Sequence, residues 1–288
     1  MIAAFIDSWE LFQSAYLSAL LVSGLLGLVG AIVVARDQIF IGAAISQASM
    51  LGIATGIRME EAFGVDVATG RFGNLLHSLL GGVVAVAGAL ATALGTSGRE
   101  SREAITGWVF LVGASLSVLV VAHSPHGLAE VEHLLASTII GAGSLDVWLL
   151  ATLLVCSIAI AVIHRDALLL TILDPEMARA CGVRTAAWDR ALAVWLGVVV
   201  ATSIHVAGVL FAFGALVLPA LSAKNLCREV RRMFVVSPLL AVTFTLVGLV
   251  LANAKDYPPG QMAVALYSIL LAAAWALRML PRRTSGIF

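Results

Sequence analysis

The stretch LFQSAYLSALLVSGLLGLVGAIVVAR, residues 11–36, decides the fold class. No charged side chain interrupts it before Arg36. A helix needs roughly 20 apolar residues to cross the hydrocarbon core of a bilayer, so 11–35 reads as a membrane span that ends in a positive charge. Further apolar runs follow at 39–57, 74–94, 105–122, 145–163, 188–206, 208–223, 234–252 and 261–280. If the first span runs from outside to inside, only Arg58, Arg71 and Lys255 of the 17 basic residues fall outside. Basic residues stay on the cytoplasmic side during insertion, so this asymmetry yields class and orientation together. The expectation is an all-α polytopic membrane protein, a bundle of about 8–9 transmembrane helices, with its N-terminus outside and its C-terminus cytoplasmic. The run 208–223 is short and contains Pro219, which marks it as a candidate broken or re-entrant element.

Composition supports this class. The chain of 288 residues is 61 % hydrophobic and 12 % charged, where a soluble domain carries about 25 % charged residues. Open strands cannot satisfy their backbone groups in lipid, and the alternation of a barrel strand is absent, which leaves helices. Net charge is zero, so nothing points to nucleic acid. Cys156, Cys181 and Cys227 are scattered and form no CxxC, a pattern without disulfide, redox or metal signature. The N-terminus has no basic region before its apolar run, so a signal peptide is not expected. No HExxH, GxSxG or GxxxxGK[ST] occurs, and the polar connections are too short to hold an ATPase or a receptor. The whole of 1–288 therefore reads as one transmembrane domain, and any energy source must come from a partner or an ion gradient.

Small residues recur inside the spans: Gly24, Gly27 and Gly30 in the first, Gly52 and Gly56 in the second, and Gly81, Gly82 and Gly88 in the third. They let helix backbones approach closely. The pattern fits tight packing, and a sliding interface would use the same residues.

Polar residues within the spans are few. A charge at the bilayer centre costs about 2.5–3.5 kcal/mol on insertion scales, so those that remain tend to be functional. Ser46, Gln47 and Ser49 form a polar group in the second span. They either find hydrogen-bond partners within the bundle or line a substrate path. His77 and His205 lie near span ends with no acidic residue in the same helical turn, which argues against a proton relay. They are interfacial residues or part of a substrate path. The outer loop HSPHGLAEVEH, 123–133, offers His123, His126, Glu130, Glu132 and His133. Imidazole with carboxylate is a zinc-type ligand set, although a solvated loop has the same composition.

Two connections on the basic side stand out. The longer is 164–190, HRDALLLTILDPEMARACGVRTAAWDR. Within it Asp174 is placed as a helix N-cap, Pro175 at the first helical position, Glu176 in the first turn and Gly182 at the C-terminal stop. This predicts a short amphipathic helix that docks on a soluble partner or lies on the headgroups. The second is 222–233, SAKNLCREVRRM, whose charges suit membrane lipid or the same partner.

Three stretches, in order and spacing, resemble the permease family of ATP-binding-cassette importers for zinc and manganese. They are VVARDQIFIGAAISQASMLGIATG (33–56), DPEMARACGV (174–183), and VAGVLFAFGALVLPALSAKNL (206–226) followed by YPPGQMAVAL (257–266). The second is the most specific. The resemblance covers nearly the whole chain and implies the membrane subunit of an importer of the bacterial inner membrane. It implies a dimer with a second permease chain, identical or different. It also implies an ATPase subunit inside, which hydrolyses ATP and is approached by Asp174, Pro175, Glu176, Ala178 and Gly182, and a solute-binding protein outside. A divalent metal would be the substrate, and the chain itself would bind no cofactor and catalyse no reaction.

One departure bears on the site. Similar members carry an Asp and a His four residues apart in the second span, in a pattern like GDALSHA. The matching residues here are Ala43 and Gln47. Neither is a strong ligand for zinc or manganese. The chain is then the ligand-poor half of a heterodimer, a permease for another substrate, or a subunit without transport of its own. Outside this family, a self-sufficient secondary carrier is the competing reading, and it lacks the buried relay it would need.

Overall fold

The computed structural model describes residues 2–63, 71–94, 101–122 and 139–279. Helices α1 (Ile2–Ala35), α2 (Ile41–Phe63), α3 (Arg71–Leu94) and α4 (Arg102–Val121) come first. A 3-10 turn at Ile139–Gly141 precedes α5 (Ser144–Ile163), and two short helices follow, α6 (Arg165–Leu173) and α7 (Pro175–Ala180). The chain ends with α8 (Thr185–Ala207), α9 (Val209–Leu226), α10 (Val230–Lys255) and α11 (Pro259–Met279). No strand occurs among the described residues.

Eight of these helices are long and apolar enough to cross a membrane. The ninth long helix, α2, is not among them, because Ser46, Gln47, Ser49 and Arg58 dilute its apolar run. The expectation of a broken or re-entrant element at 208–223 is not met. Helix α9 is continuous through Pro219. It starts at the corner residue Gly208 and ends where Lys224 Nζ donates to Asp37 at 2.6 Å, in the turn between α1 and α2. The preceding helix α8 starts beside the same turn, through an ion pair of Asp189 with Arg36. Helices α8 and α9 therefore leave and return to one end of the bundle.

That corner depends on glycine. Gly208 closes α8, its N–H donating to Ile204, and opens α9 with φ 79 and ψ 165. This backbone region is essentially restricted to glycine, so a single residue reverses the chain between two long helices.

Helix α1 is the central element. Its spanning stretch is 78 % buried, whereas that of α5 is 11 % buried and lies on the periphery. Its glycines explain the position. A methyl group on Gly27 would lie 2.9 Å from Ala241 Cβ and from Pro238 Cα of α10, and one on Gly30 would overlap the Leu216 carbonyl of α9. Without side chains at these positions, α10 and α9 reach van der Waals contact with the α1 backbone. The Ser237 hydroxyl donates to the Gly27 carbonyl at 2.6 Å across this contact. Gly52 and Gly56 do the same for α2 against α3, so packing accounts for both glycine series. Helix α1 also starts earlier than the apolar run suggests. It includes a break at Phe12, and Phe5, Trp9 and Tyr16 cluster around that break.

Candidate functional site

Helix α2 packs mainly against α3 and α4, and to a lesser extent against α8 and α9. Ala43 and Gln47, one turn apart, are both half-buried. The Gln47 backbone is covered by Gly113 of α4, where a methyl group would meet its carbonyl carbon at 2.7 Å. Ser46 is buried and its hydroxyl donates back to the Gly42 carbonyl at 2.8 Å, the usual way a helix satisfies a serine in an apolar setting. The Ser49 hydroxyl is buried with no partner among the described residues.

The end opposite Arg36 carries His77, Asp146 and His205 on three different helices. His77 of α3 lies beneath Gly56 of α2, where a methyl group would come within 2.8 Å of its ring. Asp146 stands in the first turn of α5, and His205 is exposed in the last turn of α8. Asp146 is itself held by the Gly143 N–H at 2.8 Å. Among the described residues no three His, Cys, Asp or Glu side chains are arranged to hold a metal. His123, His126, Glu130, Glu132 and His133 of the loop lie outside the described residues.

Segment 164–190 folds as expected at its centre and differs at its edges. Asp174 caps α7, its Oδ1 accepting from Glu176 N–H at 3.1 Å and Met177 N–H at 2.9 Å, with Pro175 in the first turn. At the other end Val183 N–H donates to Ala178 at 2.9 Å and Gly182 N–H to Arg179 at 3.0 Å. Gly182 has φ 81. These two crossed bonds with a left-handed glycine form a Schellman stop. Ala178 is fully buried, while Glu176 and Met177 face outward. The segment holds a second short helix, α6, before α7, because His164 (φ −105, ψ 21) interrupts the helix that began in α5. Residues 185–190 already belong to α8.

A cluster at the basic end was not foreseen from the sequence. Asp189 of α8 uses both carboxylate oxygens: Oδ1 accepts from Arg36 at the end of α1, and Oδ2 from Arg102 at the start of α4 at 3.1 Å. The side chains of Arg36 and Asp189 are only 11 % and 18 % exposed, so solvent screens this pair far less than a surface pair. The cluster borders a cavity of about 400 Å³ whose wall also includes Thr106, Leu192 and Trp195. The partners are 153 and 87 residues apart in sequence, and no local pattern signals such a pairing.

A bundle of long apolar helices, with a short capped helix between two of them and a half-buried polar helix face inside, defines a multi-pass membrane protein. The chain belongs to the ABC 3 transport family, whose profile matches residues 8–278. It is similar over 256 residues, at 25 % identity, to a Thermotoga maritima protein described as "Probable metal transport system membrane protein", covering 89 % of this chain and 86 % of that one. It is 22 % identical over 270 residues to the manganese transport system membrane protein MntC of Listeria monocytogenes, covering 93 % and 90 %. Among solved structures, PsaBC from Streptococcus pneumoniae in complex with Fab superposes with a TM-score of 0.78, at 22 % identity over 96 % of this chain and 95 % of that chain. The fold is thus that of this family throughout. The chain is a multi-pass protein of the bacterial inner membrane and a permease of the ATP-binding-cassette class.

Proposed function

We propose that this chain is the subunit through which a divalent metal ion, manganese or zinc, is imported, driven by ATP hydrolysis on a separate subunit. The observation that carries the reading is that relatives aligned along nearly the full bundle are named for manganese or metal transport. In this reading the basic end is cytoplasmic, residues 1–288 form one permease domain, and α6 and α7 meet the ATPase. Asp174, Pro175, Ala178 and Gly182 hold the shape of that coupling helix, and Glu176 presents its charge to the partner. A solute-binding protein delivers the metal to the outer end, near His77 and His205, with the loop residues His123, His126, Glu132 and His133 as candidate first contacts. A second permease chain completes the path along the α2 face bearing Ser46 and Gln47.

Ala43 and Gln47 make this path weakly coordinating. Gln47 offers a neutral amide oxygen and Ala43 offers no ligand, so a metal passing here keeps much of its own hydration or takes ligands from the second chain.

The test is uptake of radioactive manganese and zinc into proteoliposomes that contain the permease, its ATPase and its receptor, with and without a second permease. ATP-dependent uptake is expected. Uptake that requires a second, Asp- and His-bearing permease makes this chain the ligand-poor half of a heterodimer. Absence of metal uptake in both settings refutes the metal reading. In the paired variant Ala43→Asp/Gln47→His, two ligands return to one helix face, and tighter metal retention than wild type is expected.

A further inference from the structure

We propose that Asp189 is a positioning residue that carries the movement of the coupling segment into the bundle and keeps the cytoplasmic cavity closed at rest. This rests on the reading that α6 and α7 meet the ATPase.

The argument starts with stiffness. Only Cys181–Arg184 separate α7 from α8. That turn is braced by the Schellman bonds and by Thr185 N–H donating to Val183 at 2.9 Å. On its other side, Trp188 packs edge-on against His164 at the α5–α6 junction, with ring centroids 5.2 Å apart. The coupling segment is thus fixed to the first turn of α8 at two points, and α8 must tilt or shift when the segment is pushed.

Asp189 is next to Trp188, and it is where this first turn is tied to the rest of the bundle. Its two oxygens reach two different helices, α1 through Arg36 and α4 through Arg102. One carboxylate therefore bridges three helix ends around the cavity. The bridge is also a switch by charge. Arg36 and Arg102 are like charges held together by the carboxylate between them, and removing it leaves the mostly buried Arg36 guanidinium without its counter-charge. The other acids on the cavity wall do not substitute for it: Asp37 is engaged by Lys224 at 2.6 Å, and Glu103 points to solvent. The structure shows these helix ends bridged; an unbridged packing is the second state that the proposal requires, since transmission between sites needs a discrete two-state element.

The experiment reads cavity access directly. Thr106, a buried residue of the cavity wall, is replaced by cysteine in a background lacking Cys156, Cys181 and Cys227. Labelling by a membrane-impermeant maleimide is then timed in inside-out vesicles holding the permease with its ATPase, with and without ATP. In the T106C parent, labelling is expected to be slow at rest and to change with ATP. Asp189→Asn is expected to raise the resting rate several-fold and remove the ATP response. Asp189→Glu, which keeps the carboxylate, is expected to restore both. Arg102→Gln removes one arm at a more exposed position and is expected to give an intermediate rate, and it serves as the informative variant if Asp189→Asn fails to insert. An Asp189→Asn rate and ATP response equal to those of the T106C parent overturn the proposal. So does a parent cavity that ignores ATP while the ATPase is assembled. Failure of any ATPase to assemble with the wild-type chain overturns the functional reading instead.

Discussion

Adding one methyl group at Gly113 tests whether contact between α4 and α2 maintains the path. A Cβ at this position lies 2.7 Å from the Gln47 carbonyl carbon, 2.8 Å from its oxygen and 2.9 Å from the Ala48 nitrogen. All three are backbone atoms, so no side-chain rotation relieves the overlap. Ordinary contact begins at 3.4 Å, so the two helices must separate locally by about 0.7 Å. Overpacking of this kind costs about 1–3 kcal/mol. Gly107 lies on the same helix with nothing within 4 Å of its position. Both substitutions gain the same preference of alanine over glycine for helix, about 0.8–1.0 kcal/mol, so the difference between Gly113→Ala and Gly107→Ala isolates the steric cost. Gly107→Ala is expected to be at least as stable as wild type. Gly113→Ala is expected to melt lower than Gly107→Ala by about 2–12 °C, using roughly 2–4 °C per kcal/mol for domains of this size class. The assay is the fraction of monodisperse permease after graded heating in detergent. Transport is expected to fall for Gly113→Ala alone, since the displaced backbone carries Gln47. Equal melting of the two variants, within a degree, refutes the close α2–α4 contact.

Four further outcomes follow from the geometry. Gly208→Ala forces a side chain into a backbone region that costs about 1–3 kcal/mol for other residues, and reduced yield with a lower melting temperature is expected, while Gly82→Ala, in open space, leaves both unchanged. Asp174→Ala removes the cap of α7 at about 0.5–2 kcal/mol of local helix stability, and faster amide exchange at Glu176 and Met177 with intact membrane insertion is expected. Glu176→Lys is expected to weaken pull-down of the ATPase without altering insertion, and unchanged assembly and transport argue against the coupling role of this segment. Ser237→Ala loses the buried bond to the Gly27 carbonyl, a net loss of about 0.5–1.5 kcal/mol, visible as a small drop in melting temperature and no change in substrate preference.

The membrane class and the short helix capped by Asp174 were legible before the structure, because each is decided within a short window. Hydropathy acts over about 20 residues. Every element of the α7 cap and stop lies within Asp174–Val183, so Asp174, Pro175 and Gly182 were read correctly from their order alone. The glycine spacing announced close packing but not the partner. The structure assigns Gly27 to α10 and Gly30 to α9. The weakest span was read as 208–223, yet α9 is whole through Pro219 and α2 carries the polar dilution.

What the sequence alone determined is therefore local: where the chain prefers lipid, and where a helix starts and stops. Tertiary structure alone decided which helix is central and that Asp189 holds Arg36 and Arg102 together. The physical reason is distance along the chain. Propensity and hydropathy act on neighbouring residues, while a buried charge must be balanced by whichever helix ends the packing brings beside it, here 153 and 87 residues away.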